Sequence, residues 1–60
     1  MTISELLKLF KQNGIVFVEH GKKHDKYYSP ITGNTFPISR DKKQDVGIDL
    51  LNKIKKQAGL

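Results

Sequence analysis

The stretch "IVFVEHGKKHDKYYSP", residues 15–30, decides how the rest of the chain must be arranged. Ile15-Val16-Phe17-Val18 is β-branched and aromatic and too short for a helix, so it reads as a strand. Lys26-Tyr27-Tyr28 forms the body of a second strand, closed by Pro30. Between them, Gly21-Lys22-Lys23 is a turn. A hairpin of this kind has two faces, and its neighbours in sequence must supply the cover for one of them.

Upstream, Thr2 followed three residues later by Glu5 is a capping-box pattern, and Ile3, Leu6, Leu7 and Phe10 recur at helical spacing until Asn13-Gly14 ends the run. Downstream, Thr32-Gly33-Asn34 signals a second turn and Thr35 to Ile38 a third strand. Pro37 lacks an amide donor, which suits an edge. Leu50, Leu51, Ile54 and Ala58 then mark a second amphipathic helix, with Asp49 as expected N-cap and Gly59 as its end. The connection from Ser39 to Asp49 is the longest polar one and is expected to be the most mobile part. The predicted order is α-β-β-β-α, an α+β fold in which two helices cover one face of a three-stranded antiparallel sheet. Double-stranded-RNA-binding domains share this layout, although a fold does not fix a function.

With 60 residues the chain is expected to form a single domain, residues 1–60. A domain of that size buries only roughly 60% of the surface its unfolded chain exposes. It has no cysteine, so neither a disulfide framework nor a thiolate metal site is available, and a reducing, cytoplasmic setting is expected. The opening "MTISELLKLFKQNG" is too amphipathic for a signal peptide and too short for a membrane span, so a soluble, unprocessed protein with no membrane partner is expected. Eleven Lys plus Arg against six Asp plus Glu give a net charge of +5. That field favours polyanions, nucleic acid first.

His24 is the leading candidate for chemistry. It follows Lys22 and Lys23 and precedes Lys26, where a phosphate is attracted and where an imidazole transfers protons near neutrality. In RNA cleavage a 2′-hydroxyl attacks the adjacent phosphate, a base accepts its proton, an acid protonates the leaving 5′-oxygen, and cations stabilise the added charge. A three-residue turn over Gly21 to Lys23 sets His20 opposite His24. A two-residue Gly21-Lys22 turn sets Glu19 there instead. The sequence leaves both registers open.

His20 and Tyr28 are auxiliary candidates. Adjacent strand residues point to opposite faces, so of Tyr27 and Tyr28 one belongs to the core and one to the wet face. Lys53, Lys55 and Lys56 read as a solvated helix face. Two histidines with Asp25 do not make a zinc spacing among so many lysines, so no metal or other cofactor is expected. Nucleotide-binding glycine loops and the serine-esterase elbow are absent from the sequence.

Taken together, "NGIVFVEHGKKHDKYYSP", "TGNTFP" and the terminal "LLNKIKKQAGL" resemble the corresponding segments of HicA-type mRNA interferase toxins. In this resemblance His24 stands at the family's motif histidine and Tyr27 at the aromatic that follows. Lys22 and Lys23 replace the usual Gly-Ser. The resemblance implies a ribosome-independent, metal-independent endoribonuclease that cleaves mRNA and arrests growth. It also implies a HicB-type antitoxin that covers the active site and, with the toxin, binds operator DNA. Set beside this are a non-catalytic double-stranded-RNA-binding module and a structural subunit whose basic face serves only a protein partner.

Overall fold

The computed structural model describes residues 1–60. Helix α1 spans Ile3–Gln12, strand β1 Val16–His20, β2 His24–Tyr28, β3 Thr35–Ser39 and helix α2 Ile48–Ala58. The strands form one antiparallel sheet in the order β1-β2-β3. This is the expected α-β-β-β-α arrangement.

α1 starts where its sequence says it should. The Thr2 hydroxyl accepts from the Glu5 amide and the Glu5 carboxylate accepts from the Thr2 amide, the reciprocal pair of a capping box. Those bonds from Thr2 hold the Glu5 carboxyl below its usual range. Ile3, Leu6 and Phe10 form the helix's buried stripe, and Phe10 packs against the rings of Phe36 and Tyr27 at centroid distances of 5.7 and 5.6 Å. Ile15, Phe36, Ile38, Val46, Ile54 and Ala58 complete the core. Both helices therefore lie on one side of the sheet, over β3 and β2.

β1 receives little of this cover. All five of its residues are exposed, Phe17 included, although it carries the most strand-prone sequence in the chain. β3 is the other edge strand, which accommodates Pro37 as expected.

α2 departs from expectation at its start. Its N-cap is Gly47, in an extended conformation with no side-chain cap bond, and Asp49 lies within the first turn. There its charge favours the amide end of the helix dipole. The entry is set by Val46, which is buried and donates its N–H to the Met1 carbonyl, so the chain turns into helix immediately afterwards. Leu50 is 44% exposed rather than part of the buried stripe, which consists of Ile54 and Ala58 with Leu51 partly covered.

The connection between β3 and α2 is also more tied down than its polarity suggested. Gln44 and Lys42 carbonyls accept from the amides of Ile3 and Ser4, two of the donors that a helix leaves unpaired at its N-terminus. Asp45 adds an ion pair to the terminal amine at 3.3 Å.

At the other end, Gly59 closes α2 with a φ of 78° and donates to the Lys55 carbonyl. A Cβ there would lie 2.7 Å from Ile31 Cγ2, so the position needs glycine for both its backbone and its space. This explains why "QAGL" ends the helix: Ala58 is fully buried and Gly59 lets the turn after β2 approach.

Candidate nucleic-acid interface at the hairpin tip

The β1–β2 hairpin uses neither of the two registers open from sequence. Near its base, Phe17 faces Tyr27 and Val16 faces Tyr28, the pairing that a three-residue turn would produce. A bulge at Val18 then shifts the ladder by one. Beyond it Glu19 faces Lys26 and His20 faces Asp25, and the Gly21 amide donates to the His24 carbonyl at 2.8 Å. Lys22 and Lys23 alone cross the tip.

His24 thus lies between Gly21 on one side and Ser39 on the other. Gly21 is required by close approach, since a Cβ there would meet the His24 carbonyl oxygen at 2.6 Å. The imidazole consequently has no side chain beside it on β1. His24 is exposed and is the single ionisable residue lining a cavity of about 180 Å³ at the β3 edge, whose other walls include Pro37, Gln44, Leu50 and Ile54. The outward position of Leu50 now has a structural role as a wall of that cavity.

Alternation sorts the remaining candidates. Tyr27 rests on Phe10 on the helix side, where burial and, secondarily, the charge of Asp25 push its phenol pKa up. Tyr28 is on the open side, as are His24 and Lys26. One of the two tyrosines is therefore core and the other wet, as expected. Lys26 is engaged by Glu19 at 3.1 Å, while Lys22 and Lys23 make no ion pair. Of the three candidate lysines, the two at the tip are therefore the ones free of an ion pair.

His20 does not face His24. The bulge brings it instead to the helix side, with its ring 4.8 Å from that of Phe17 and its Nδ1 2.8 Å from Asp25 Oδ1. Arg40, just past β3, donates from Nε to the same carboxylate oxygen at 3.0 Å. The hydrogen bond from His20, followed by the charges of His20 and Arg40, holds the Asp25 carboxyl below its usual range against the opposing effect of desolvation. Sequence spacing gave no signal for this group, because it exists only through a one-residue register shift and a residue from a third element.

No helix is long and apolar enough to cross a membrane. The family model described as the HicA toxin of bacterial toxin–antitoxin matches residues 3–60. No curated protein and no solved structure matches the chain.

Proposed function

The chain belongs to the HicA toxin family of bacterial toxin–antitoxin systems, and on that premise we propose that it is a metal-independent endoribonuclease that cleaves mRNA, with His24 as its catalytic residue. The observation that carries this reading is the setting of His24: exposed, flanked by a glycine and a serine, and beside a tip crossed by two unpaired lysines. An imidazole in that position has room for a ribose and its phosphate on the β1 side. Deprotonation of the 2′-hydroxyl or protonation of the leaving 5′-oxygen is within the range of one histidine; Lys22 and Lys23 stabilise the charge that develops on the phosphoryl oxygens. Lys26, bound to Glu19, has a smaller share, and Tyr28 on the same open face offers a ring on which a base can stack.

A HicB-type antitoxin completes this reading. The exposed side chains of Val16, Phe17 and Val18 on edge strand β1 form an apolar stretch next to a basic tip, a combination that suits a protein partner with acidic groups at its rim. Such a partner covers His24 and excludes RNA, operator DNA being bound only by the pair. The toxin acts in the cytoplasm, where its mRNA substrate is.

Purified protein incubated with RNA in EDTA tests the reading directly. Cleavage is expected to persist. A protein that binds the RNA without cutting it would instead be the non-catalytic RNA-binding module, and activity that requires added divalent cations would exclude the metal-free route.

A further inference from the structure

Three side chains from three elements meet on the face of the hairpin opposite His24. His20 ends β1, Asp25 lies in β2 and Arg40 follows β3, and a single oxygen, Asp25 Oδ1, accepts from His20 Nδ1 at 2.8 Å and from Arg40 Nε at 3.0 Å. The carboxylate is 16% exposed, whereas the His20 side chain is 71% exposed and that of Arg40 43%. The anion is thus the covered centre, and the imidazole and the guanidinium extend outward from it. His20 Nε2 and both terminal nitrogens of Arg40 make no bond within the chain.

We propose that His20 and Arg40, held by Asp25, form a second phosphate site that takes an RNA backbone phosphate on the far side of the hairpin tip from His24. This inference rests on the reading of the chain as an RNA nuclease. Two features favour it over a closed ion-pair network.

The first is orientation. Asp25 holds the Nδ1 side of the imidazole, so the ring is fixed with Nε2 outward, and an imidazole that carries both protons donates from Nδ1 to Asp25 and from Nε2 to a phosphate. Arg40, anchored through Nε, presents its terminal N–H groups as a fork suited to phosphate oxygens.

The second is what lies next to the site. The His20 ring sits on Phe17, which remains 45% exposed and offers a stacking surface for a base beside the phosphate. Lys22 and Lys23 cross the tip between this face and the His24 face, so a single strand passing over the tip meets cations along its whole path. Aromatic and cationic groups alternating in this way match a single-stranded nucleic acid.

The experiment uses the full chain and a short fluorescently labelled RNA carrying 2′-O-methyl groups throughout, which the proposed reaction cannot cleave. His20→Asn retains a nitrogen donor near the Nδ1 position for Asp25 but removes Nε2, so a merely structural pair tolerates it. Arg40→Gln removes the fork, and Lys53→Gln removes one charge from an exposed position on α2. Thermal melts of each variant accompany the binding curves.

The phosphate site predicts that His20→Asn and Arg40→Gln each weaken binding by roughly tenfold, the loss expected for one charge-assisted hydrogen bond. Each should also flatten the slope of log affinity against log salt by about 0.7. Lys53→Gln should have a smaller effect. Parent-like RNA binding by folded His20→Asn and Arg40→Gln overturns the site, even if these variants lose affinity for an acidic antitoxin, and so does an equal loss from Lys53→Gln. Because the probe is not cleaved, failure of the parent to cut ordinary RNA would sink the nuclease reading separately from this result.

Discussion

The two ends of the sheet are built from similar materials and treat them oppositely. At the β2–β3 end, polar side chains turn inward onto the last turn of α2. The Ser29 hydroxyl donates to the Ala58 carbonyl at 2.6 Å, and Thr32 and Asn34 donate to that of Gln57 at 2.7 and 3.1 Å. These are carbonyls that a helix C-terminus leaves without partners. At the β1–β2 end the side chains of Lys22, Lys23 and His24 bond no helix carbonyl and are exposed. A turn rich in Gly and polar residues is therefore structural where a helix end needs it and is free for a ligand where none does. The same comparison separates positions whose loss should unfold the protein from those whose loss should silence it.

The sharpest test of that division is at the tip. His24→Ala should lower the rate of RNA cleavage by about 10²–10⁴, the usual consequence of removing a general acid or base. Its stability should stay within about 0.5 kcal/mol of the parent, as for most exposed substitutions. Cleavage at the parent's rate would remove His24 from the mechanism, and a large drop in melting temperature would make it a structural residue.

At the locked end the consequences should reverse. Gly59→Ala forces a side chain into a left-handed backbone and against Ile31 and Thr32, and we expect about 2–4 kcal/mol of lost stability from the two effects together. Denaturant titration measures this. Cleavage per folded molecule should be unchanged, and a variant that is fully stable would mean that the end of α2 relaxes at little cost.

A smaller loss is expected from Ser29→Ala, which leaves the Ala58 carbonyl without its buried donor. Removing one partner of a buried hydrogen bond typically costs about 1–3 kcal/mol. A loss near zero would indicate that the carbonyl finds water, and the contrast between the two ends would then rest on packing at Gly59.

The weakest effect belongs to the Asp25 group, which lies at the hairpin-tip end but is partly internal. Its carboxyl is held below the ordinary value of 3.8, chiefly by the hydrogen bond from His20. A depressed carboxyl contributes stability that is fully present above its ordinary range and is lost as the pH falls through the folded-state value. His20, Arg40 and the nearby Tyr27 are the titratable and charged groups around it. Asp25→Asn should therefore be less stable than the parent at neutral pH, and the difference should vanish in strong acid. Urea titrations across that range measure it; a constant difference at every pH would assign the effect to packing rather than charge.

Much of this protein was legible one residue at a time. The capping box at Thr2 and Glu5, the periodic apolar residues of α1, the strand-prone run after Gly14, the edge proline and the glycine ending α2 are local signals, and each acts through the backbone within a few residues of itself. They were enough to order the elements and to place two helices on one face. His24 and its lysines were visible for the same reason, since their proximity is sequential.

What required the tertiary structure was every decision made between distant segments. The amide partners of α1 come from the connection after β3, so Val46 is buried and Gly47 rather than Asp49 caps α2. The apolar sequence of β1 says that it is a strand but not that it lies at an edge beyond the reach of both helices. Above all, one residue added to the ladder at Val18 turned His20 away from His24 and toward Asp25 and Arg40. A strand's side chains alternate with a period of two, so a single-residue shift exchanges faces, and a shift of that size has no signature in composition or spacing.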